Sequence, residues 1–350
     1  MSKLDSLLPL QRQSLSAPVS WDSAEGASVF KKGTAGAGAL IDVNKDLLPF
    51  KDKKAMLVSN SWWAGGYFMA GDEVIGFIYN PLIMKPLVGG GQMVENLSLI
   101  NITTGKHYSG NKTYSVPKVG ESGGKINIVT DTGSMTGDFD DLHCVGKMEG
   151  GSFDVHMRAS SPAIYNGGAG VYELCGMRSH QYSLPVLATK GTVTMDGKTY
   201  ELNGNSWFDR QWGIFNPKNG LPKWTWFGIN LVNGTALSIW HLFDKSIGQN
   251  KSFATILHTD GSQTVAAAVC IPDAEYAWES PQTKNLYYLK WTIEIPQLDT
   301  SLNVITTEKD QEFTMASMGG GYEGVSNVTG TFQGRSVVGA ARLEMLGSCR

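Results

Sequence analysis

The chain has 350 residues, a formal net charge of -3 and only 17% charged residues. This balance excludes the basic surface that a phosphate backbone requires, so we expect no nucleic-acid partner. No apolar run is long enough for a membrane-spanning helix. The 42 glycines, ten Trp, twelve Tyr and thirteen Phe are typical of short strands joined by many turns. The composition therefore predicts an all-β protein.

The first part of the chain changes character twice. Residues up to about Leu40 are polar and rich in Ser and Gly, which predicts an irregular lead-in. Residues 56–70 and 74–81 are apolar and aromatic, and we predict that they form buried strands. Apolar and polar residues then alternate over residues 125–130 and 152–159, which predicts half-buried antiparallel strands.

A Gly-rich segment of low charge, residues 160–176, interrupts this pattern. The length of the chain favours two β-barrels or sandwiches over one. We therefore place the join near residue 186, and predict an N-terminal β-domain over residues 1–186 and a C-terminal β-domain over residues 187–350.

Hairpin signals dominate the second half. Two alternating runs within residues 191–204 meet at Asp196-Gly197, a dipeptide that favours a tight hairpin turn. A second hairpin is predicted over residues 223–243, around Asn233-Gly234. A final pair of strands is predicted within residues 325–345.

Charged and aromatic residues are most concentrated in residues 207–213, with the sequence Trp-Phe-Asp-Arg-Gln-Trp-Gly. Successive side chains of a strand point to opposite faces. One face carries Trp207, Asp209 and Gln211. The other carries Phe208, Arg210 and Trp212. Only one face can line a pocket, and the residues leave open which one does. For Asp209 and Arg210 the competing interpretation is structural, a buried charge that pins the strand by packing on a Trp.

Aromatic residues in both halves are candidates for pocket walls. Trp224 and Trp226 share one face of a predicted strand with Gly228, which makes a flat apolar wall with space above it. A second wall is predicted in the first half, with packing in the core as the alternative. Its residues are Trp62, Trp63, Tyr67, Tyr79 and Asn80.

Two further candidates lie in the second half. His241 is on an apolar face, where a single hydrogen-bonded core histidine is the structural alternative to catalysis. Tyr322 begins a strand and is a candidate for substrate contact. Glu323 after it either points inward and pairs with Arg210 or faces solvent.

Several common motifs are missing from the sequence. There is no His-Glu-x-x-His motif or phosphate-binding loop, and Gly120-Glu121-Ser122-Gly123-Gly124, which fits Gly-x-Ser-x-Gly, precedes a predicted strand and not the helix of a nucleophile elbow. This argues against hydrolase, metalloenzyme and nucleotide-binding functions. The four cysteines form no Cys-x-x-Cys pair, so we expect buried free thiols and no metal. Six Asn-x-Ser/Thr sequons favour a secretory protein and a possible glycoprotein, but a cytoplasmic location stays open. The sequons are at Asn96, Asn101, Asn111, Asn233, Asn250 and Asn327.

The second half resembles a known family. The residues that carry the resemblance are 185–213, Trp224-Thr225-Trp226 and the closing segment from Tyr322-Glu323-Gly324 to Glu344. They are similar to the lipocalin-like carotenoid-hydratase family, which includes hydroxyneurosporene synthase, kievitone hydratase and the fungal lipocalin-like Diels-Alderases. In the first half only the region of Trp62-Trp63 is similar, and Ser61 stands where many relatives carry a glutamate.

The resemblance implies two lipocalin-like β-domains, with a pocket for an apolar small molecule between them and no cofactor. It also implies one of two chemistries. A hydratase would protonate a prenyl alkene and stabilise the cation on Trp faces. A pericyclase would fold a polyene into a reactive geometry and polarise a carbonyl. Arg210 close to Asp209 would keep the carboxylate ionised and favour the pericyclase, whereas a dry aromatic pocket would raise the pKa of Asp209 and support the hydratase.

Our leading hypothesis is a cyclase of secondary metabolism that catalyses a Diels-Alder or hetero-Diels-Alder cycloaddition of a polyketide or terpenoid. Asp209 and Arg210 would anchor the substrate, with Tyr67, Tyr79, Asn80 or His241 as hydrogen-bond donors. The substrate-binding candidates are Trp62, Trp63, Tyr79, Trp207, Trp224, Trp226 and Tyr322. The alternatives are a hydratase of an isoprenoid alkene with Asp209 as general acid, and a carrier of an apolar metabolite. The oligomeric state stays open, a homo-oligomer included.

Overall fold

The structure is a computed structural model that describes residues 19–32, 40–52, 54–55, 57–86, 91–115, 119–174, 177–214, 223–244, 248–313 and 320–347. Within these residues the chain is built of antiparallel strands and short 3-10 turns. The turns are Trp21–Ser23, Gly26–Lys32, Ala274–Tyr276 and Pro296–Leu298. The strands form two large sheets, one a half-barrel and the other a nearly closed barrel. The predicted all-β fold with two lipocalin-like sheets is confirmed.

The first sheet contains the strands from Leu57 to Ile214. They are β1 (Leu57–Ala70), β2 (Glu73–Pro86), β3 (Gln92–Asn101), β4 (Lys106–Tyr114), β5 (Val119–Ser122), β6 (Lys125–Val129), β7 (Gly133–Asp138), β8 (Asp141–Met148), β9 (Gly151–Ala159), β10 (Ile164–Tyr165), β11 (Val171–Leu174), β12 (Met177–Met195) and β13 (Lys198–Ile214). The order is β4-β3-β2-β1-β13-β12-β9-β8-β7-β6-β5, and β10 and β11 also pair with β12. Strand β13 therefore lies between β1 and β12, in the interior of the sheet.

The second sheet follows in the chain. The remaining strands are β14 (Trp224–Leu231), β15 (Ala236–Asp244), β16 (Gln249–Leu257), β17 (Gln263–Ala267), β18 (Val269–Pro272), β19 (Ala277–Glu279), β20 (Leu286–Tyr288), β21 (Lys290–Ile295), β22 (Thr300–Thr306), β23 (Glu312–Phe313), β24 (Gly321–Phe332) and β25 (Arg335–Leu346). The sheet order is β17-β16-β15-β14-β25-β24-β22-β21-β18, with β23 on β24, and β19 and β20 form a separate pair.

The hairpin predicted at Asp196-Gly197 joins β12 to β13. Met195 pairs with Lys198, so the turn has two residues. Asp196 and Gly197 both have positive φ, 51° and 78°, the conformation that matches the twist of a hairpin. This hairpin carries residues 207–213 into the middle of the first sheet.

The division between the sheets differs from the join placed near residue 186. The first sheet continues to Ile214 and the second begins at Trp224. Strand β12 passes through residue 186 with only a bulge between Leu184 and Leu187. Within the Gly-rich segment, Ile164–Tyr165 and Val171–Leu174 form β10 and β11, which pair with β12 of the first sheet.

Each sheet encloses its own apolar core, and a third set of buried side chains lies between the sheets. We call this third set the interface cluster. It consists of Trp63, Ile78, Ile164, Leu174, Trp207, Trp226, Ala236, Trp240, Leu242, Leu257 and Phe313. Residues from both sheets contribute to it, so the alternating pattern of each strand buries side chains on both faces near this contact.

Other sequence predictions have mixed outcomes. Cys144 and Cys270 are buried free thiols, whereas Cys175, Cys349 and most of the lead-in lie outside the described residues. Among the described residues, no helix has the length and apolar character needed to cross a membrane.

Two of the six sequons are inaccessible in the folded protein. The side chains of Asn96 and Asn101 in β3 are only 3% and 4% exposed. A glycan on either residue would have to displace packed neighbours, so these two sequons give no support to a glycoprotein.

Candidate active site between the two sheets

Strand β13 divides its side chains between two environments. Phe208 and Trp212 belong to the core of the first sheet, and Trp207 belongs to the interface cluster. By the same alternation Asp209 points toward the second sheet and Arg210 points away from it. The structure therefore separates the two charges that are adjacent in sequence.

Arg210 has a structural role in the core of the first sheet. Its side chain is 0% exposed, and its guanidinium lies 4.2 Å from the ring centre of Trp62 and 4.8 Å from that of Trp212. Its N–H groups donate to the carbonyls of Asp46, Leu48, Ser61 and Gln211 and to Asn60 Oδ1. Burial lowers the pKa of Arg210 to about 9, so it stays charged at neutral pH. This arrangement fastens the segment before β1 to the sheet.

Asp209 is a buried carboxyl surrounded by donors. It is 8% exposed, and its Oδ1 accepts hydrogen bonds from the Ser183 hydroxyl and, at 3.3 Å, from Gln181 Nε2. Trp207 Nε1 donates to Oδ2 at 3.0 Å. Burial raises the pKa of Asp209 to about 7, although these donors and the charge of Arg342 act in the opposite direction. Since Oδ2 accepts a single bond, it retains a lone pair for a proton.

A chain of hydrogen bonds connects Asp209 to the second sheet. Trp226 Nε1 donates to Ser238 Oγ at 2.9 Å, and the Ser238 hydroxyl donates to Asn166 Oδ1 at 2.6 Å. Asn166 Nδ2 donates to Ser183 Oγ at 3.1 Å, and Ser183 donates to Asp209. Every bond points toward the carboxylate, and bonds that run in one direction polarise one another. The chain therefore stabilises the ionised form of Asp209 against the cost of burial.

Two more carboxyls face this region from the second sheet. Glu323 on β24 and Glu344 on β25 are directly opposite each other in the strand register. Trp63 Nε1 donates to Glu323 Oε1 at 3.2 Å, and Trp224 Nε1 donates to Glu344 Oε1 at 2.8 Å. With Trp207 on Asp209, each of the three carboxyls is held by an indole N–H.

Burial raises the pKa of both glutamates. The pKa of Glu323 is well above its ordinary value, first because of burial and then because of the Glu344 charge. Burial raises the pKa of Glu344 to about 7. Both side chains nevertheless keep some accessible surface. Sequence reasoning missed Glu344, and neither alternative for Glu323 anticipated its contact with Trp63.

Arg342 on β25 supplies positive charge to the same region. It is 7% exposed, and its guanidinium lies 5.4 Å from the ring centre of Trp207 and 5.8 Å from that of Tyr67. Its Nη1 donates to Asn230 Oδ1 at 3.1 Å. Its buried Nε has no hydrogen-bond partner among the described residues. Burial lowers the pKa of Arg342 to about 10.

Tryptophan rings form the walls around these groups. The ring centre of Trp226 lies 5.6 Å from that of Trp207, 6.5 Å from that of Trp63 and 6.4 Å from that of Trp240. A Cβ on Gly228 would lie 2.4 Å from the Trp226 ring. The glycine predicted to leave space above the wall is therefore covered by the Trp226 ring itself.

The structure brings seven of the twelve predicted site residues to the interface side of the sheets. They are Asp209, Tyr67, Asn80, Trp63, Trp207, Trp224 and Trp226. Asn80 Nδ2 donates to Ser61 Oγ at 2.9 Å and is on the same face of β2 as Ile78 of the interface cluster.

The other five point elsewhere. Arg210, Trp62 and Tyr79 face the core of the first sheet. Tyr322 belongs to the core of the second sheet and donates to Glu308 O at 3.0 Å. His241 Nδ1 is hydrogen-bonded to Ser252 Oγ at 2.7 Å, and its ring packs on Trp291 of the same core. None of these five side chains contacts Asp209 in the described structure.

A grouping that could accept a metal ion lies outside this region. The ligand atoms of His143, Asp154 and His156 lie within 4.8 Å of one another. These residues are on β8 and β9 and alternate with core residues such as Phe153 and Val155, so they face outward. They are separate from the three carboxyls between the sheets.

The fold and the site together define a two-sheet β-protein with buried acids among tryptophans at the contact between its sheets. Residues 91–348 match the family model described as AttH-like, and the chain belongs to this family. The resemblance inferred from residues 185–213 is thereby confirmed.

Two curated relatives are enzymes. The chain is 32% identical to the dehydratase asqC of Emericella nidulans over 206 residues, which cover 56% of this chain and 58% of that protein. It is 26% identical to the kievitone hydratase of Fusarium solani subsp. phaseoli over 316 residues, 86% of each chain. Both relatives are thus named as enzymes, one a dehydratase and the other a hydratase.

Solved structures share the fold. Kievitone hydratase from Nectria haematococca superimposes with a TM-score of 0.77 at 19% identity, covering 93% of this chain and 96% of that chain. CghA with Sch210972 superimposes with a TM-score of 0.64 at 13% identity, covering 92% of this chain and 97% of that chain.

Proposed function

We propose that the protein removes or adds water at a tertiary allylic carbon of an apolar isoprenoid or polyketide-derived substrate, by way of a carbocation. The observation that carries this proposal is the position of Asp209, a carboxyl with a pKa of about 7 that faces an aromatic cluster and is separated from Arg210. A carboxylic acid with a pKa near the working pH is protonated often enough to give its proton and basic enough to recover it.

The surrounding residues suit a cationic intermediate. The negative faces of indole rings attract positive charge, and the attraction is stronger away from water. The charges also balance if Asp209 and Glu323 are protonated, because Glu344 then offsets Arg342. Once Asp209 has given up its proton, the site has one excess negative charge beside a substrate with one positive charge. The protein thus stabilises the cation without further movement of charge.

The steps of dehydration follow from these positions. Asp209 Oδ2 gives its proton to the substrate hydroxyl, the C–O bond breaks with its electrons going to oxygen, and water leaves. The neighbouring carbon then loses a proton to a base, and the electrons of the broken C–H bond form the new C=C bond. Hydration is the reverse of these steps and uses the same groups, so substrate and water concentration set the direction. The two curated relatives are named for opposite directions of such a reaction.

The test uses dimethyl styryl carbinol, a tertiary allylic alcohol with an aromatic ring, in heavy-oxygen water. We expect the wild-type protein to exchange the hydroxyl oxygen with water and to form the conjugated aryl diene. In Asp209→Asn both rates should fall by ~100-fold or more, the usual contribution of a general acid. Mass spectrometry of the recovered alcohol and the diene measures the two rates.

The control is Asp260→Asn, which replaces an exposed aspartate in a turn and should leave both rates unchanged. A wild-type protein that yields neither labelled alcohol nor diene would contradict the proposal. So would an Asp209→Asn protein with full rates.

The cycloaddition expected from the sequence is a second candidate, and one observation favours it. The Nε–H of Arg342 is a buried donor without a partner among the described residues, beside the rings of Tyr67 and Trp207. Such a donor polarises a carbonyl and speeds a cycloaddition. A linear trienone tests this function, because a cyclase converts it to an isomer of equal mass with no oxygen from water. Recovery of unchanged trienone together with quenched Trp fluorescence would instead indicate that the protein is a carrier of an apolar metabolite.

A further inference from the structure

The proposed dehydration leaves one step without a group to perform it. The water that leaves the substrate stays beside Asp209. The Oδ1 atom of Asp209 already accepts hydrogen bonds from Ser183 and Gln181. The proton on the neighbouring carbon therefore needs a second base. We propose that Glu344 is this base, and that Glu323 holds the one proton that the two glutamates share. The inference rests on the proposed function and adds a second proton-transfer site to it.

The geometry of the pair comes from the strand register. Glu323 and Glu344 are direct cross-strand partners, and their side chains point to the same face. Side chains in this relation have Cβ atoms ~5 Å apart. Two carboxyls at such a separation and away from bulk water do not both ionise, since the two negative charges repel. The pair therefore holds one carboxylic acid and one carboxylate.

The hydrogen bonds indicate which member carries the charge. The indole bond to Glu344 is 2.8 Å long, whereas that to Glu323 is 3.2 Å long. Charged acceptors form the shorter bonds. The pKa values agree with this assignment, because burial raises the pKa of Glu344 to about 7 and that of Glu323 further. Glu344 is thus the carboxylate that can accept a proton.

Glu344 and Asp209 approach the substrate region from opposite sheets. Glu344 is opposite Trp226 in the register of β25 and β14. Trp226 in turn lies 5.6 Å from Trp207, whose N–H donates to Asp209. Asp209 is close enough for its charge to raise the pKa of Glu344. A tertiary alcohol placed along these rings directs its oxygen to Asp209 and a methyl group to Glu344.

The proton transfers balance over one turnover. Asp209 loses a proton to the departing water, and the C–H bond breaks as Glu344 takes its proton and the C–H electrons form the alkene. The released water then carries the proton from Glu344 back to Asp209. Burial gives both carboxyls a pKa of about 7, so this return costs little free energy.

The experiment separates loss of oxygen from loss of the carbon-bound proton. Dimethyl styryl carbinol is incubated in heavy-oxygen water with the wild-type protein and with Glu344→Gln. Oxygen exchange requires only Asp209, whereas the diene also requires the base. We expect Glu344→Gln to keep exchange and to form diene ~100-fold more slowly, the usual effect of removing a general base. The ratio of exchange to diene is measured within one incubation, so a partly folded sample gives the same ratio.

Two further variants sharpen the result. Glu323→Gln leaves Glu344 in place as the base, so the fall in diene formation relative to exchange that Glu344→Gln shows should be absent. Glu294→Gln replaces an exposed glutamate on β21 and should change nothing.

Three outcomes would overturn the assignment. An unchanged ratio in Glu344→Gln would show that another group takes the proton. Equal loss of exchange and diene in Glu344→Gln would show that Glu344 serves the acid step. A Glu323→Gln protein that alone shows the altered ratio would make Glu323 the base. Failure of the proposed function is distinct, because the wild-type protein would then show neither exchange nor diene.

Discussion

Replacing Asp209 with asparagine should remove a large part of the pH dependence of the protein's stability. Burial raises the pKa of Asp209 from 3.8 to about 7, a difference of 7 − 3.8, or about 3 pKa units. Each unit corresponds to ~1.4 kcal/mol. The buried carboxyl therefore costs the native state up to ~4 kcal/mol at pH values where the unfolded chain is ionised.

The sign of the stability change follows from which state, native or unfolded, binds the Asp209 proton more tightly. Below about pH 4 Asp209 is protonated in both states, and its contribution to stability is fully present. As the pH rises toward 7 the unfolded chain releases the proton and the native state does not, so stability is lost. Asparagine has no such proton. Relative to the wild type, Asp209→Asn should gain stability by up to ~4 kcal/mol between about pH 4 and about pH 8.

A second effect of the substitution is independent of pH. The amide nitrogen of asparagine is a donor, and it would face the N–H of Trp207 or the donors from Ser183 and Gln181. An unpaired buried donor costs ~1–3 kcal/mol. The variant can therefore be less stable than the wild type at low pH, and only the change of the difference with pH reports on the carboxyl.

The assay is urea unfolding followed by Trp fluorescence, with the free energy of unfolding measured at several pH values for both proteins. Asp260→Asn serves as the control, because Asp260 is exposed and its hydrogen bonds lower its pKa. A stability difference between Asp209→Asn and wild type that stays constant from about pH 4 to about pH 8 would refute the reasoning. The acid role of Asp209 would then lose its physical basis.

Three other substitutions have definite expected effects. Arg210→Met should lower the free energy of unfolding in urea by ~3–5 kcal/mol, because the buried carbonyls that it satisfies lose their donors; a smaller loss, or a shifted pH–rate profile, would contradict a structural role. Arg342→Met removes a charge that lowers the pKa of Asp209, so the basic limb of the pH–rate profile should move to higher pH. An unmoved limb would show that the Arg342 charge does not affect the pKa of Asp209. In Gly228→Ala the added methyl group would lie 2.4 Å from the Trp226 ring, so the ring must turn, at a cost of ~1–3 kcal/mol in stability; an unchanged near-ultraviolet circular dichroism spectrum would count against this.

Local patterns in the sequence were sufficient for much of the architecture. The period of two in residues 207–213 assigned Asp209 and Arg210 to opposite faces, and the structure has them so. The Asp196-Gly197 turn was predictable because few dipeptides adopt positive φ at both positions. The join near residue 186 was misplaced by composition, since a Gly-rich stretch has the same local character in a linker as in short edge strands.

The sequence by itself determined that the chain is all-β, where its hairpins turn and which side chains share a face, because these depend on residues close together in the chain. Only the tertiary structure decided that the face of Asp209 meets the second sheet, and that Glu323 and Glu344 lie across from it. A charged residue in an alternating strand has the same local pattern whether its face meets water or another sheet. The contact between strands far apart in the chain removes the water, and the loss of water is what raises the pKa of these carboxyls.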